Sequence, residues 1–122
     1  MLIYRIESLD DSRKGPWNND DNAAYYAHCV ADRLGVISPY RHPTPGNDGI
    51  DIDWEDVCGL PSLDAYRTWF AHPKVRAELY KHNMHMRVYD VPDHLIKKGM
   101  LQVCFRIHDA TSVRLATKEE MS

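Results

Sequence analysis

The sequence predicts an α+β fold: a small, mostly antiparallel sheet with two to three helices packed on it, as a single domain over residues 1–122. Three observations lead there. Residues 84–91 and 100–107 carry the two-residue apolar alternation of half-buried strands. Residues 23–34, 62–70 and 74–82 repeat apolar side chains every three or four positions, as amphipathic helices do. The order is strand, helix, irregular loop, helix, helix, strands, without the strict alternation that builds a parallel sheet.

Residues 2–6 form a short opening strand, with Leu2, Tyr4 and Ile6 facing one way and Ile3, Arg5 and Glu7 the other. Residues 8–21 form a polar loop containing Gly15-Pro16-Trp17. Its end, Asn18-Asn19-Asp20-Asp21-Asn22, is rich in short polar side chains that accept from the free N–H groups of a first helical turn. The first helix, residues 23–34, is expected to bury Tyr26, Val30 and Leu34 beside Ala23 and Ala27, and Gly35 closes it. Residues 36–57 are irregular, because Pro39, Pro43, Pro45, Gly46 and Gly49 interrupt any regular element. A loop of that length in a compact domain is often functional. Ile50, Ile52 and Trp54 alternate with Asp51, Asp53 and Glu55, which allows a short edge strand.

Ser62 is a suitable N-cap for the second helix, whose apolar face is Leu63, Tyr66, Trp69 and Phe70. His72-Pro73 interrupts it. A third helix over residues 74–82 turns Val75 and Leu79 inward. In the next strand Met84, Met86 and Val88 share one face while Tyr89 and Val91 are apolar on the other, so its end should be covered on both sides. Pro92 stops the ladder. Lys97-Lys98-Gly99 is read as a turn with Gly99 at positive φ. In the strand over 100–107, Leu101, Val103, Phe105 and Ile107 are expected to close the interior beneath the Tyr66–Phe70 helix. Residues 112–116 form a last short strand, and residues 117–122 should fray.

Composition narrows the setting. A net charge of −3 lacks the basic excess of a nucleic-acid binder. The cysteines Cys29, Cys58 and Cys104 contain no CxxC pair, which argues against a zinc ribbon, and they read as free, mostly buried thiols of a reducing cytoplasm. The start of the chain lacks the basic and apolar regions of a signal peptide, and no stretch approaches the roughly 20 apolar residues of a membrane span. A cytoplasmic protein is expected, with no membrane partner.

The motifs exclude more than they select. GxGxxG, GxxxxGK[ST], GxSxG and HExxH are all missing. Seven histidines are scattered rather than spaced as ligands, so no metal site is expected. The acidic run Asp48, Asp51, Asp53, Glu55 and Asp56 does not match a calcium loop; it reads as a solvated edge or a surface for a basic partner. A polar set stands out: Arg5 and Gln102 in mid-strand and Ser62 at a helix start. A guanidinium grips phosphate and a carboxamide orients a hydroxyl, although polar residues on outward strand faces are ordinary.

Several segments together carry a resemblance: YRIE from Tyr4, GPW from Gly15, RHPTP and DGI between Arg41 and Ile50, CGLPSLDAYRTWF from Cys58, VYDVP from Val88 and QVCF from Gln102. They resemble a family of small bacteriophage and prophage proteins. That resemblance implies an accessory protein acting on host machinery or host defence, as anti-CRISPR proteins do. A second resemblance follows the order of Arg5, Ser62 and Gln102, which is similar to ADP-ribosyltransferases of the arginine–serine–glutamate type. It implies NAD as cofactor, with Arg5 on the pyrophosphate and Ser62 and Gln102 near the nicotinamide ribose. Gln102 stands where that family has its catalytic glutamate, so the implied alternatives are a reduced transferase or a fold kept for binding.

Two principal functions therefore stand from the sequence. The first is a binding protein that covers a host or defence-system protein, without a cofactor, using Trp17, Tyr40, Arg41, Asp51, Asp53 and Trp54. The second is the NAD-using enzyme, with a hydrolase using Asp51 and Asp53 on a metal as a minor third.

Overall fold

The computed structural model describes residues 1–19 and 21–122; Asp20, part of the polar run expected to start the first helix, lies outside the described residues. That start is made by its neighbour Asn19, whose Oδ1 accepts the N–H groups of Asp21 at 2.9 Å and Ala23 at 3.4 Å. Among the described residues the chain forms four α-helices and two three-stranded antiparallel sheets.

The first sheet has the order β1 (Leu2–Ser8), β3 (Met84–Asp90), β6 (Ser112–Leu115). Its register places Ile3 opposite Tyr89, Arg5 opposite Arg87 and Glu7 opposite His85. Strand alternation then gives the sheet two different faces. Ile6, Met84, Met86 and Val88 point into a core with α1 (Ala23–Leu34), α2 (Leu63–Trp69) and α3 (Pro73–Tyr80), which contribute Ala27, Val30, Tyr66, Trp69, Val75 and Leu79. Ile3, Tyr89 and Val91 point the other way, into a second core with Val57, Val103 and Phe105. The expected coverage of residues 84–91 on both sides is thus met, as are the inward Val75 and Leu79.

The second sheet, ordered β2 (Asp56–Gly59), β5 (Val103–Arg106), β4 (Lys97–Lys98), supplies that second core. This corrects the placement of the late strand. Its regular part is only Val103–Arg106, and Val103 and Phe105 pack on Ile3 and Tyr89 rather than beneath the Tyr66–Phe70 helix. Leu101 lies outside the strand and is exposed, because the N–H groups of Leu101 and Gln102 turn instead to the buried carboxylate of Asp48, at 2.9 Å each. Helices lie on one side of the first sheet, as expected, and the unforeseen second sheet covers the other.

Other expectations change with reasons. Cys58 and Cys104 are not free: the β2–β5 register sets them directly opposite, with Cα atoms 4.0 Å apart, and they form a disulfide, leaving Cys29 as the free thiol. Lys97-Lys98 is strand, and Gly99 does not take a positive φ. Glycine is required there because a Cβ would lie 2.9 Å from the Asp48 carbonyl oxygen. Residues 50–55 form no strand. Tyr26 and Leu34 stay exposed, since α1 buries its narrow alanine stripe with Val30, and Tyr26 stacks on His82 at 4.3 Å. The C-terminal residues do not fray: Thr117 and Glu120 form a capping box that starts α4 (Lys118–Met121).

Candidate functional site

The two sheets meet where β1 and β2 approach most closely. Tyr4 and Leu60 exchange backbone hydrogen bonds at 2.9 Å in both directions. Gly59 permits the approach: a Cβ there would lie 2.7 Å from Ile3 Cγ2 and 3.0 Å from the Tyr4 carbonyl oxygen. Beside this junction lies a cavity of about 260 Å³, whose lining includes Arg5, Gly59 and Gln102 together with Trp17, Trp69 and Phe70.

The charged wall continues from the second face of the first sheet. Arg5 and Glu7 are separated by one residue, so both side chains project to the same side as Ile3. Glu7, 1% exposed, is met by Arg5 Nε at 3.2 Å, by Arg87 Nε at 2.6 Å and by the Tyr89 hydroxyl, which donates at 2.7 Å. Arg5 also donates to the Ser12 carbonyl at 2.9 Å and to the Cys58 carbonyl at 2.7 Å, and so ties the N-terminal loop to β2. Burial draws the Arg5 guanidinium below its ordinary pKa, while Glu7 opposes that shift. Burial, then the bond to Glu7, pushes the Tyr89 phenol up.

The aromatic wall is centred on Trp69 at the end of α2. His42 stacks on it at 4.6 Å, and its Nε2 lies 3.0 Å from the Trp69 carbonyl oxygen. Burial pushes the His42 imidazole below its ordinary pKa. Trp17 meets Trp69 edge-on at 6.0 Å and Phe70 at 5.9 Å. Two loops remote in sequence are thereby clamped to one helix end. Arg13 also lines the cavity, and its guanidinium lies 5.6 Å from the Trp54 ring centroid.

The residues singled out from sequence divide accordingly. Arg5 and Gln102 share the cavity, but Ser62 does not. Its hydroxyl accepts the Ala65 N–H at 3.0 Å, as the expected N-cap. Gln102 donates through Nε2 to the Pro43 carbonyl at 3.0 Å and holds the long loop down. Trp17 packs on Trp69 and Phe70 and Trp54 meets Arg13, whereas Tyr40 sits over His28 at 5.2 Å on α1, and Arg41 is exposed beside it. Asp53 pairs with Arg106 at 3.0 Å and Lys97 with Asp56 at 2.6 Å, so basic groups of the second sheet answer much of the acidic run. The Glu55 N–H, then Arg106, holds the Asp53 carboxyl below its usual range. Asp51 is exposed and its carbonyl accepts from Lys97. Among the described residues no group of three His, Cys, Asp or Glu side chains is placed to hold a metal, and no helix is long and apolar enough to cross a membrane.

Sequence reasoning missed Glu7, Arg13, Gly59 and Tyr89, and it named Asp48 only as part of the acidic run, not as the buried acceptor of the Leu101 and Gln102 N–H groups. The signal for Glu7 was present: two charges on the Ile3 side of a strand must be buried together if Ile3 is.

Fold and site thus define a small α+β protein with a charged interior cleft beside exposed aromatic side chains. The chain belongs to the Bacteriophage T4 Y00F protein family, whose model matches residues 1–119. The expected phage family is confirmed by that match. No curated protein and no solved structure matches the chain, and the ADP-ribosyltransferase likeness finds no support in these comparisons.

Proposed function

We propose that this chain is a phage accessory protein that works in the host cytoplasm by binding a host or defence-system protein, as an inhibitor of the anti-CRISPR kind does. Trp54 carries the reading. Its side chain is 80% exposed, yet its backbone is held: its carbonyl accepts from Arg13, and the N–H groups of the flanking Asp53 and Glu55 bond to Asp56 and Asp53 at 2.9 Å. A large ring on a fixed backbone loses little entropy when a partner buries it, and tryptophan dominates binding hot spots. Trp17 and Tyr40, 46% and 49% exposed, offer two further aromatic rings to a partner. Arg41, Asp51 and Asp53 are the charged residues we assign to the same contact.

The NAD-using alternative has one supporting observation, the shared cavity of Arg5 and Gln102, and weakens at Ser62, whose hydroxyl is engaged in capping α2. A photo-crosslinking residue placed at Trp54, and at exposed Glu119 as control, tests the docking reading in host cells. One host protein should be captured from position 54 and not from 119. Trp54→Ala should then weaken binding of that purified protein about tenfold or more. No adduct from positions 17, 40 or 54 would refute the reading.

A further inference from the structure

We propose that the cavity between β1, β2 and the end of α2 binds a small ring compound bearing a carboxylate. This goes beyond the docking surface and does not depend on it.

The charge balance comes first. Arg5 and the half-buried Arg87 share one carboxylate, Glu7, so that cluster carries a net positive charge; Arg13 adds a second guanidinium at the cavity, and Asp56, also in its lining, is neutralised by Lys97 at 2.6 Å. A guanidinium has five N–H donors. The acceptors of Arg5 among the described residues are Glu7, Ser12 and Cys58, with Nε shared between the first two. Among the described residues, one N–H on each of Nη1 and Nη2 therefore has no acceptor, on a side chain 7% exposed that lines the cavity. Gln102, 5% exposed, spends its Nε2 on Pro43, and its Oε1 has no donor among the described residues. A carboxylate meets the spare N–H groups with charge-assisted bonds, and a hydroxyl or N–H on the same ligand would satisfy Gln102.

The apolar body of the ligand follows from the aromatic part of the lining. Trp69 and Phe70 are 6% and 1% exposed, and Trp17 leans over both. Flat aromatic surfaces facing a few convergent polar groups are what small-molecule sites present. A cavity of 150 Å³ accommodates benzene; by proportion the 260 Å³ here holds on the order of ten heavy atoms, one ring with a short acidic arm.

Gly15 offers a way to close the site without cutting the Arg5 bonds. A Cβ there would stand 3.8 Å from Arg5 Nη1 and 3.7 Å from Asn18 Oδ1, in ordinary contact, so a longer side chain would extend into the cavity. The test uses benzoate, phenylacetate and hydrocinnamate as probes, with phenylacetamide and acetate as controls, read by saturation-transfer NMR and by intermolecular NOEs to the tryptophan rings. At least one ring carboxylate should bind at about 10 mM, where a Kd near 1 mM would give high occupancy. Its NOEs should reach Trp17 and Trp69, phenylacetamide should bind about tenfold more weakly than phenylacetate, and Gly15→Leu should abolish binding with the circular dichroism unchanged. Should Gly15→Leu fail to fold, the NOEs locate the ligand in the wild-type protein. The proposal is overturned if no ring carboxylate binds, if amide and carboxylate bind equally, or if the NOEs fall elsewhere.

Discussion

Replacing Glu7 by glutamine should be the most damaging single isosteric change in the chain. The carboxylate is 1% exposed and faces Arg5 Nε at 3.2 Å, Arg87 Nε at 2.6 Å and the Tyr89 hydroxyl. Glutamine keeps the volume and can still accept from Tyr89. It leaves two guanidinium groups, 7% and 31% exposed, without their counter-charge. Removing one partner of a buried ion pair costs about 3–5 kcal/mol. Unfolding entropy of about 2.1 cal/mol/K per residue over this length converts that loss to a Tm lower by about 12–20 °C. Urea unfolding followed by tryptophan fluorescence and by circular dichroism measures the loss directly, with Glu119→Gln as an exposed control. In Glu7→Gln/Arg87→Gln the costs should be less than additive, because the second change removes a stranded charge. A loss under about 1 kcal/mol for Glu7→Gln, at an unchanged m-value, would refute the picture of a closed charge cluster.

The remaining expectations concern the junction of the sheets and the pH response. Denatured protein should titrate one thiol without reductant and three with it, and reduction should cost up to about 4 kcal/mol, from the 46-residue separation that the Cys58–Cys104 bridge closes. Gly59→Ala should destabilise by about 1–3 kcal/mol, since the added methyl meets Ile3 and the Tyr4 carbonyl, and Tm would show it. His42 is held below its ordinary pKa of 6.5, so the unfolded chain takes up that proton first. Stability should fall as pH drops below 6.5, and His42→Gln should flatten this part of the curve. Glu120 is held at about 2 by Arg114 and the Thr117 N–H, against an ordinary 4.5. Its stabilisation is present above pH 4.5 and lost toward pH 2, where Glu120→Gln and wild type should converge.

Much of the fold was legible because alternation and helical spacing are local. Val75 and Leu79, the Ser62 cap, Gly35 at the end of α1 and the two-sided burial of Tyr89 and Val91 all follow from near neighbours. What was not legible depends on partners distant in the chain. Val103 and Phe105 alternate as expected, but alternation does not say which apolar surface they meet. The second sheet exists because β5 pairs with β2, 46 residues earlier, and that same register turns two apparently free cysteines into a bridge. The site divides likewise. Arg5 was conspicuous as a charge in mid-strand, and its partner Glu7 was readable two residues on. Arg13, Gly59 and Asp48 become significant only once β1, β2 and the 36–57 loop are brought together.

The three tryptophans allow the most direct test of the central claim, that a charged cleft lined by Trp69 lies beside the junction of the sheets while Trp54 stands outside it. With 5-fluorotryptophan incorporated, a soluble paramagnetic agent should broaden the Trp54 fluorine resonance most and Trp69 least, following their exposures of 80% and 6%. Phenylacetate should shift Trp17 and Trp69 and leave Trp54 in place. Equal broadening of all three resonances, or a phenylacetate shift confined to Trp54, would contradict the account.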